Sequence, residues 1–295
     1  MSSVAAHPAG DETDLRLQLV ASDLGELLES PRWHPQRQRI SLVDTPTGRL
    51  FEVDPNNRTV VEHSTGLAPL GAALPMGNGY LLITSDCVWH WDLDRPGGQM
   101  SRWGDIPSSP DTVSNDAILH DGAVWVGRMD SWETAGRGSV WRITPSSSIL
   151  VVADLTLPNG LVLSPDGKSM LLAESKHQCI YRVPLDTKGL DARQLEVFLD
   201  LPDWTPDGLA WDPLGRLWVA RWSEGRVSCV SEPSGKVEDV VLPTPQVTAV
   251  AFDQTGMMYV TTGREGFTEA QKSSDPDAGS VFSFGYPRAD AIGQG

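Results

Sequence analysis

Four oxygen-bearing side chains recur at one position of a repeated pattern: Glu29 in LLESPRW, Asn115 in SNDAI, Asn159 in PNGLVL and Asp207 in TPDGLAW. Each opens a short run rich in Val, Leu, Ile and Trp, and the equivalent position in the two remaining runs is Gly71 or Thr248. One Glu, one Asp and two amides, with no His or Cys at this register, make a hard-oxygen cation site. Calcium suits it best, since it takes roughly six to eight oxygens in irregular geometry. Magnesium and manganese also fit; zinc is less natural without nitrogen or sulfur. Two carboxylates on one axis repel unless a cation neutralises them. Taken singly, Asn-Gly and Asp-Gly are ordinary turn dipeptides. Four such residues at one register favour the cation site.

The elements that must position them are hairpins. GLVLSPDGKSMLLAE, DGLAWDPLGRLWVAR and AVAFDQTGMMYVTT each read as strand, turn, strand. The six units start at intervals of 41 to 48 residues. A strand-built repeat of that length predicts an all-β, six-bladed β-propeller. The first strand of each blade then lines a central channel, and the four side chains converge on its mouth. Residues 15–295 read as one propeller domain, closed by a strand near Leu15–Ala21 pairing with SVFSFGYP. Residues 1–14 read as a loose, acidic N-terminal segment.

Composition bounds the partners. Of 295 residues, 23 are Lys or Arg and 39 Asp or Glu, a net charge of −16. That disfavours nucleic acid and anionic membrane surfaces. No run approaches the length of a membrane span, and the N-terminus has no basic start or apolar core of a signal peptide. Cys87, Cys179 and Cys229 are odd in number and far apart, which fits buried thiols in a reducing compartment. The reading is a cytoplasmic protein, monomer or homodimer, acting on a small molecule. G-x-S-x-G and H-E-x-x-H are absent, and Asp166-Gly167-Lys168-Ser169 reads as a turn rather than a phosphate loop.

At these residues the chain resembles the SMP-30/gluconolactonase/regucalcin family of six-bladed propellers. Glu29-Ser30-Pro31-Arg32-Trp33 matches its early E-G-P-x-W segment. Asn115-Asp116 is followed by Gly127-Arg128-Met129. Asn159-Gly160 precedes Ser164-Pro165-Asp166-Gly167, and Pro206-Asp207-Gly208 and Thr262-Gly263-Arg264-Glu265-Gly266 complete the order. The resemblance implies one divalent metal held by Glu29, Asn159 and Asp207, with Asn115 beside it. It also marks departures. Val113 stands where many sugar lactonases carry a substrate-gripping Arg. Trp132, with Glu133 adjacent, falls near a family acidic residue. Ser30 replaces a Gly, and Arg128 a common Thr.

The implied activity is a metal-dependent lactonase that opens a sugar lactone or related cyclic ester with metal-activated water. Asp207 is the expected catalytic base. Asn115, Arg128, Trp132 and Glu133 are the expected substrate-binding residues, Arg128 standing in for the missing Arg. Trp132, Trp204 and Trp222 suggest a flatter, more apolar ligand. The alternatives are a metal-assisted isomerase or dehydratase acting on a non-sugar carbonyl compound, and a non-catalytic calcium- or ligand-binding propeller. The segments Pro69–Pro75 and Phe267–Gly279 are candidates to cover the channel.

Overall fold

Apolar alternation and turn chemistry build each blade from the inside outward. In the fourth unit, Pro158–Leu163 runs into a turn at Ser164–Gly167 and returns as Ser169–Glu174. Asp166 accepts from the Lys168 amide and the Ser164 hydroxyl, and Gly167 takes the left-handed φ of 65° that the turn needs. Asp212 and Asp253 repeat the device, each accepting two backbone amides of its own turn. The phosphate-loop-like residues are thus a hairpin turn.

The structure, a computed structural model, describes residues 17–95, 98–230 and 237–285; the expected loose segment 1–14 lies outside them. The described strands form six sheets, five of four strands and one of five. Their inner strands are Leu28–His34, Ala72–Met76, Thr112–His120, Pro158–Leu163, Pro206–Trp211 and Val247–Phe252. Each inner strand packs on the next, and the sixth on the first, so they surround one channel. The ring closes as the sequence suggests: Leu17–Ala21 pairs with Val281–Gly285 on the outside of the sixth blade, Leu17 opposite Phe284. The fifth strand of the third sheet, Leu190–Asp191, adds in parallel.

Apolar side chains fill the spaces between blades. Trp125, Val152, Leu161 and Met170 join the third blade to the fourth, and Trp218, Val250, Met258 and Phe282 the fifth to the sixth. Each fully buried large side chain contributes about 1.5–3 kcal/mol. All three cysteines are buried. Among the described residues, no helix is long and apolar enough to cross a membrane.

Two devices shape the channel. Five of the six inner strands lose regular pairing near their start, between Glu29 and Arg32, Ser114 and Ala117, Pro158 and Leu161, Pro206 and Leu209, and Val247 and Ala249. Only the second blade pairs without a break, from Ala72–Ile83 to Met76–Gly79. Such bulges re-aim side chains. Glycines then let neighbouring inner strands approach. A Cβ on Gly160 would sit 2.4 Å from the Asp207 carbonyl oxygen, and one on Gly208 would sit 2.4 Å from the Ala249 Cβ.

Candidate functional site

The bulges bring all four register residues to one end of the channel. Glu29, Asn115, Asn159 and Asp207 line a cavity of about 130 Å³, together with Met129, Glu133, Ser175, Trp222 and Glu265. Starts of inner strands and ends of the strands beside them supply most of this wall. Glu29, Asn159 and Asp207 are buried, and Asn115 is half-buried.

The amides are locked. Asn115 Nδ2 donates to Pro158 O at 3.2 Å and Asn159 Oδ1 at 3.1 Å. Asn159 Nδ2 donates to Ser175 Oγ at 3.2 Å, and that hydroxyl donates to Pro206 O at 2.7 Å. The chain of bonds ties the third, fourth and fifth blades together beside Asp207 and leaves amide oxygens as the groups offered to the cavity.

Glu29 and Asp207 are buried more than they are neutralised, since the nearby Arg32 charge offsets only part of the burial of Glu29. Burial, and then the charge of Asp116, pushes the Glu29 carboxyl up to about 8. Burial, Glu29 and Asp116 raise Asp207 well above the usual carboxylate range. Asp207 Oδ1 is buried with no hydrogen-bond partner. A buried polar atom without a partner costs about 1–3 kcal/mol, more for a charged group. These residues therefore fit a divalent cation, which relieves both the repulsion and the orphaned oxygen. Among the described residues, no three of His, Cys, Asp and Glu cluster as a metal site, so a ligand set here has to draw on amide oxygen.

The expected substrate residues divide. Glu133 lines the cavity and is paired with Lys176. Trp132 is 80% exposed and is not in the wall. Arg128 also stays out. Alternation along Ala123–Asp130 turns Met129 to the cavity and its neighbour to the other face. The buried Arg128 guanidinium donates to Ser85 O and to Thr112 O and Oγ1, and burial lowers its pKa to about 10. Trp222 is in the wall, whereas Trp204 lies under the Arg221 guanidinium, 3.8 Å from its ring centre. Of segment 267–279, none lines the cavity; it forms the helix Glu269–Ser274, whose Lys272 donates to Glu26 Oε1. Pro75 faces the opposite opening.

Asp116 and Glu265 were not expected as site residues. Asp116 accepts from Arg32 Nη2 at 2.7 Å and from the Leu161 amide at 3.1 Å. Strict alternation sends neighbours to opposite faces, so Asn115 at the axis argues against Asp116 there, until the bulge lets both serve it. Glu265 comes from the loop after Met257–Thr262, and its position in T-G-R-E-G was the one available signal.

Residues 27–264 match the sequence profile of the SMP-30/Gluconolactonase/LRE-like region. The chain is 29% identical over 272 residues to pentonolactonase XacC of Haloferax volcanii, covering 86% of this chain and 89% of that one. It is 29% identical over 290 residues to the L-arabinolactonase of Azospirillum brasilense, covering 94% and 92%. Among solved structures, the calcium-binding protein regucalcin of Agrobacterium tumefaciens superposes with a TM-score of 0.82 at 25% identity, over 92% of this chain and 94% of that one.

Proposed function

The chain belongs to the SMP-30/gluconolactonase/LRE-like family, and on that footing we propose that it hydrolyses a lactone, with one divalent cation, calcium foremost, held by Glu29, Asn159 and Asp207. The observation that carries this reading is the buried, partnerless Asp207 Oδ1 beside a second carboxylate and an amide oxygen fixed by Ser175. The names of the relatives, lactonases among them, agree with it.

When bound, such a cation supplies polarisation of the lactone carbonyl and acidification of water. The chain does the rest. Asp207 takes the proton of the attacking water, since a general base must lie within hydrogen-bond reach of it. Asn115 holds Asn159 in place, its donor hydrogens spent on Pro158 and Asn159 rather than on a developing oxyanion. Leu27, Leu157, Met129 and Trp222 exclude bulk water from the wall.

The mouth sets the substrate class. Glu133 and Glu265 put two carboxylates there, and the nearby Lys176 is spent on Glu133. Val113 stands where a gripping Arg would help. Both features favour neutral lactones over anionic ones.

The test is a metal-swap assay. Chelated protein is reloaded separately with calcium, magnesium, manganese or zinc and offered sugar, aliphatic and aromatic lactones. Metal-dependent ring opening, lost in Asp207→Ala, is expected. Tight metal binding with no turnover of any lactone overturns the lactonase reading and leaves another metal-assisted carbonyl reaction or a binding protein.

A further inference from the structure

The channel has a second opening. At the end opposite the acidic cavity lies a larger one, about 620 Å³, walled by all six inner strands. The same strands feed both. Residues 31–33 follow Glu29, residues 161–163 follow Asn159, and residues 209–211 follow Asp207. The two cavities share no lining residue.

Their chemistries differ. Trp33, Leu119, Leu163, Trp211 and Phe252 stand at or next to the ends of five inner strands and are left half-buried. Trp211 Nε1 donates to Leu163 O at 2.7 Å, which fixes one ring edge. Arg32 is the single charged residue of the wall. Its Nη2 donates to Asp116 Oδ1 and Ala117 O, and its Nη1 to Pro31 O. A guanidinium carries more N–H groups than these acceptors use, so its Nε–H and one Nη1–H are left over. The Arg32 side chain is 21% exposed.

Small-molecule sites are concave, about 300–1,000 Å³, mostly apolar, with a few placed polar groups. This cavity meets each criterion. A funnel enclosed by strands on every side admits a molecule end-on rather than a flat protein face. We propose that it is a second ligand site, taking a small apolar or aromatic molecule with one acceptor oxygen turned toward Arg32. This site is independent of the proposed lactone chemistry and is testable without turnover.

The probe is 8-anilinonaphthalene-1-sulfonate, an aromatic body with one oxyanion end, titrated into the full, metal-loaded chain. One saturable site by fluorescence and calorimetry is expected. Octanoate should displace the probe at a concentration at least about tenfold below octylamine, which has no acceptor oxygen. Leu163→Asp should weaken the probe by about tenfold or more with the melting temperature unchanged. Arg32→Met should weaken the probe, whose sulfonate loses its donor, and erase the preference for octanoate. No saturable binding, binding that Leu163→Asp leaves intact, or equal displacement by octanoate and octylamine overturns the proposal.

Discussion

Glu52 and Asp207 are both buried carboxylates, and the chain treats them in opposite ways. Glu52, on the strand Arg49–Val53, is fully buried. It accepts from Arg37 Nε and Nη2, from His63 Nε2 at 2.9 Å and from Tyr80 OH at 2.7 Å. Burial opposes its ionisation, yet His63, Arg37 and Tyr80 together hold it well below the usual carboxylate range. Asp207 is equally hidden. Its neighbours are Glu29 and Asp116, its Oδ1 has no partner, and its carboxyl is driven the other way. One fold supplies a full set of donors where a carboxylate is structural. Where it withholds them, at the axis, the Asp207 carboxyl is left with an open oxygen, the place of the cation proposed above.

The largest expected effect breaks the Asp207 side of this contrast. Asp207→Ala should lower metal-dependent lactone turnover by at least about 100-fold, since losing even a residue behind a metal ligand costs about 10–100-fold. Steady-state assay at saturating metal checks it. On the other side, Glu52→Gln should cost about 2–3 kcal/mol by urea denaturation, because the buried position loses its charge-assisted hydrogen bonds from half-buried Arg37 and from Tyr80. Metal-free Asp207→Asn should instead be no less stable than the parent, because it removes the cost of burying an ionisable carboxyl, and of setting it beside Glu29 and Asp116. Calcium at about 100 times its Kd should stabilise the parent by about 2.7 kcal/mol and leave Asp207→Asn nearly unmoved. A large loss in Asp207→Asn would mean that its carboxylate is structural after all.

Acid sharpens the comparison further. The Glu52 carboxyl is lowered in the folded state, so its contribution is complete above the unfolded carboxylate range near about 4.3. It drains as pH falls below that range and is gone once pH passes the folded value. The stability gap between parent and Glu52→Gln should therefore be full at pH 7 and narrow on acidification. The smallest effect concerns the backbone that aims the site. Ser30 sits in the first-blade bulge at φ 51°, a left-handed conformation that favours glycine. Ser30→Gly should stabilise by about 0.5–1 kcal/mol, read as a higher denaturation midpoint.

Much of this was legible in the chain itself. Local alternation, Asp-Gly turns and a repeat of 41 to 48 residues specify the blades, because strand period and turn conformation depend on neighbours. The repeat also put Glu29, Asn115, Asn159 and Asp207 at one register, and the structure gathers those four around one cavity. Only the tertiary structure decided the rest. Whether Arg128 faced the axis depended on which face of its strand Met129 took. Asp116 reached Arg32 and the Leu161 amide only through the bulge in its strand. The apolar second opening needed all six inner strands in place. Each of these rests on contacts between residues tens to hundreds of positions apart, which close only when the ring does.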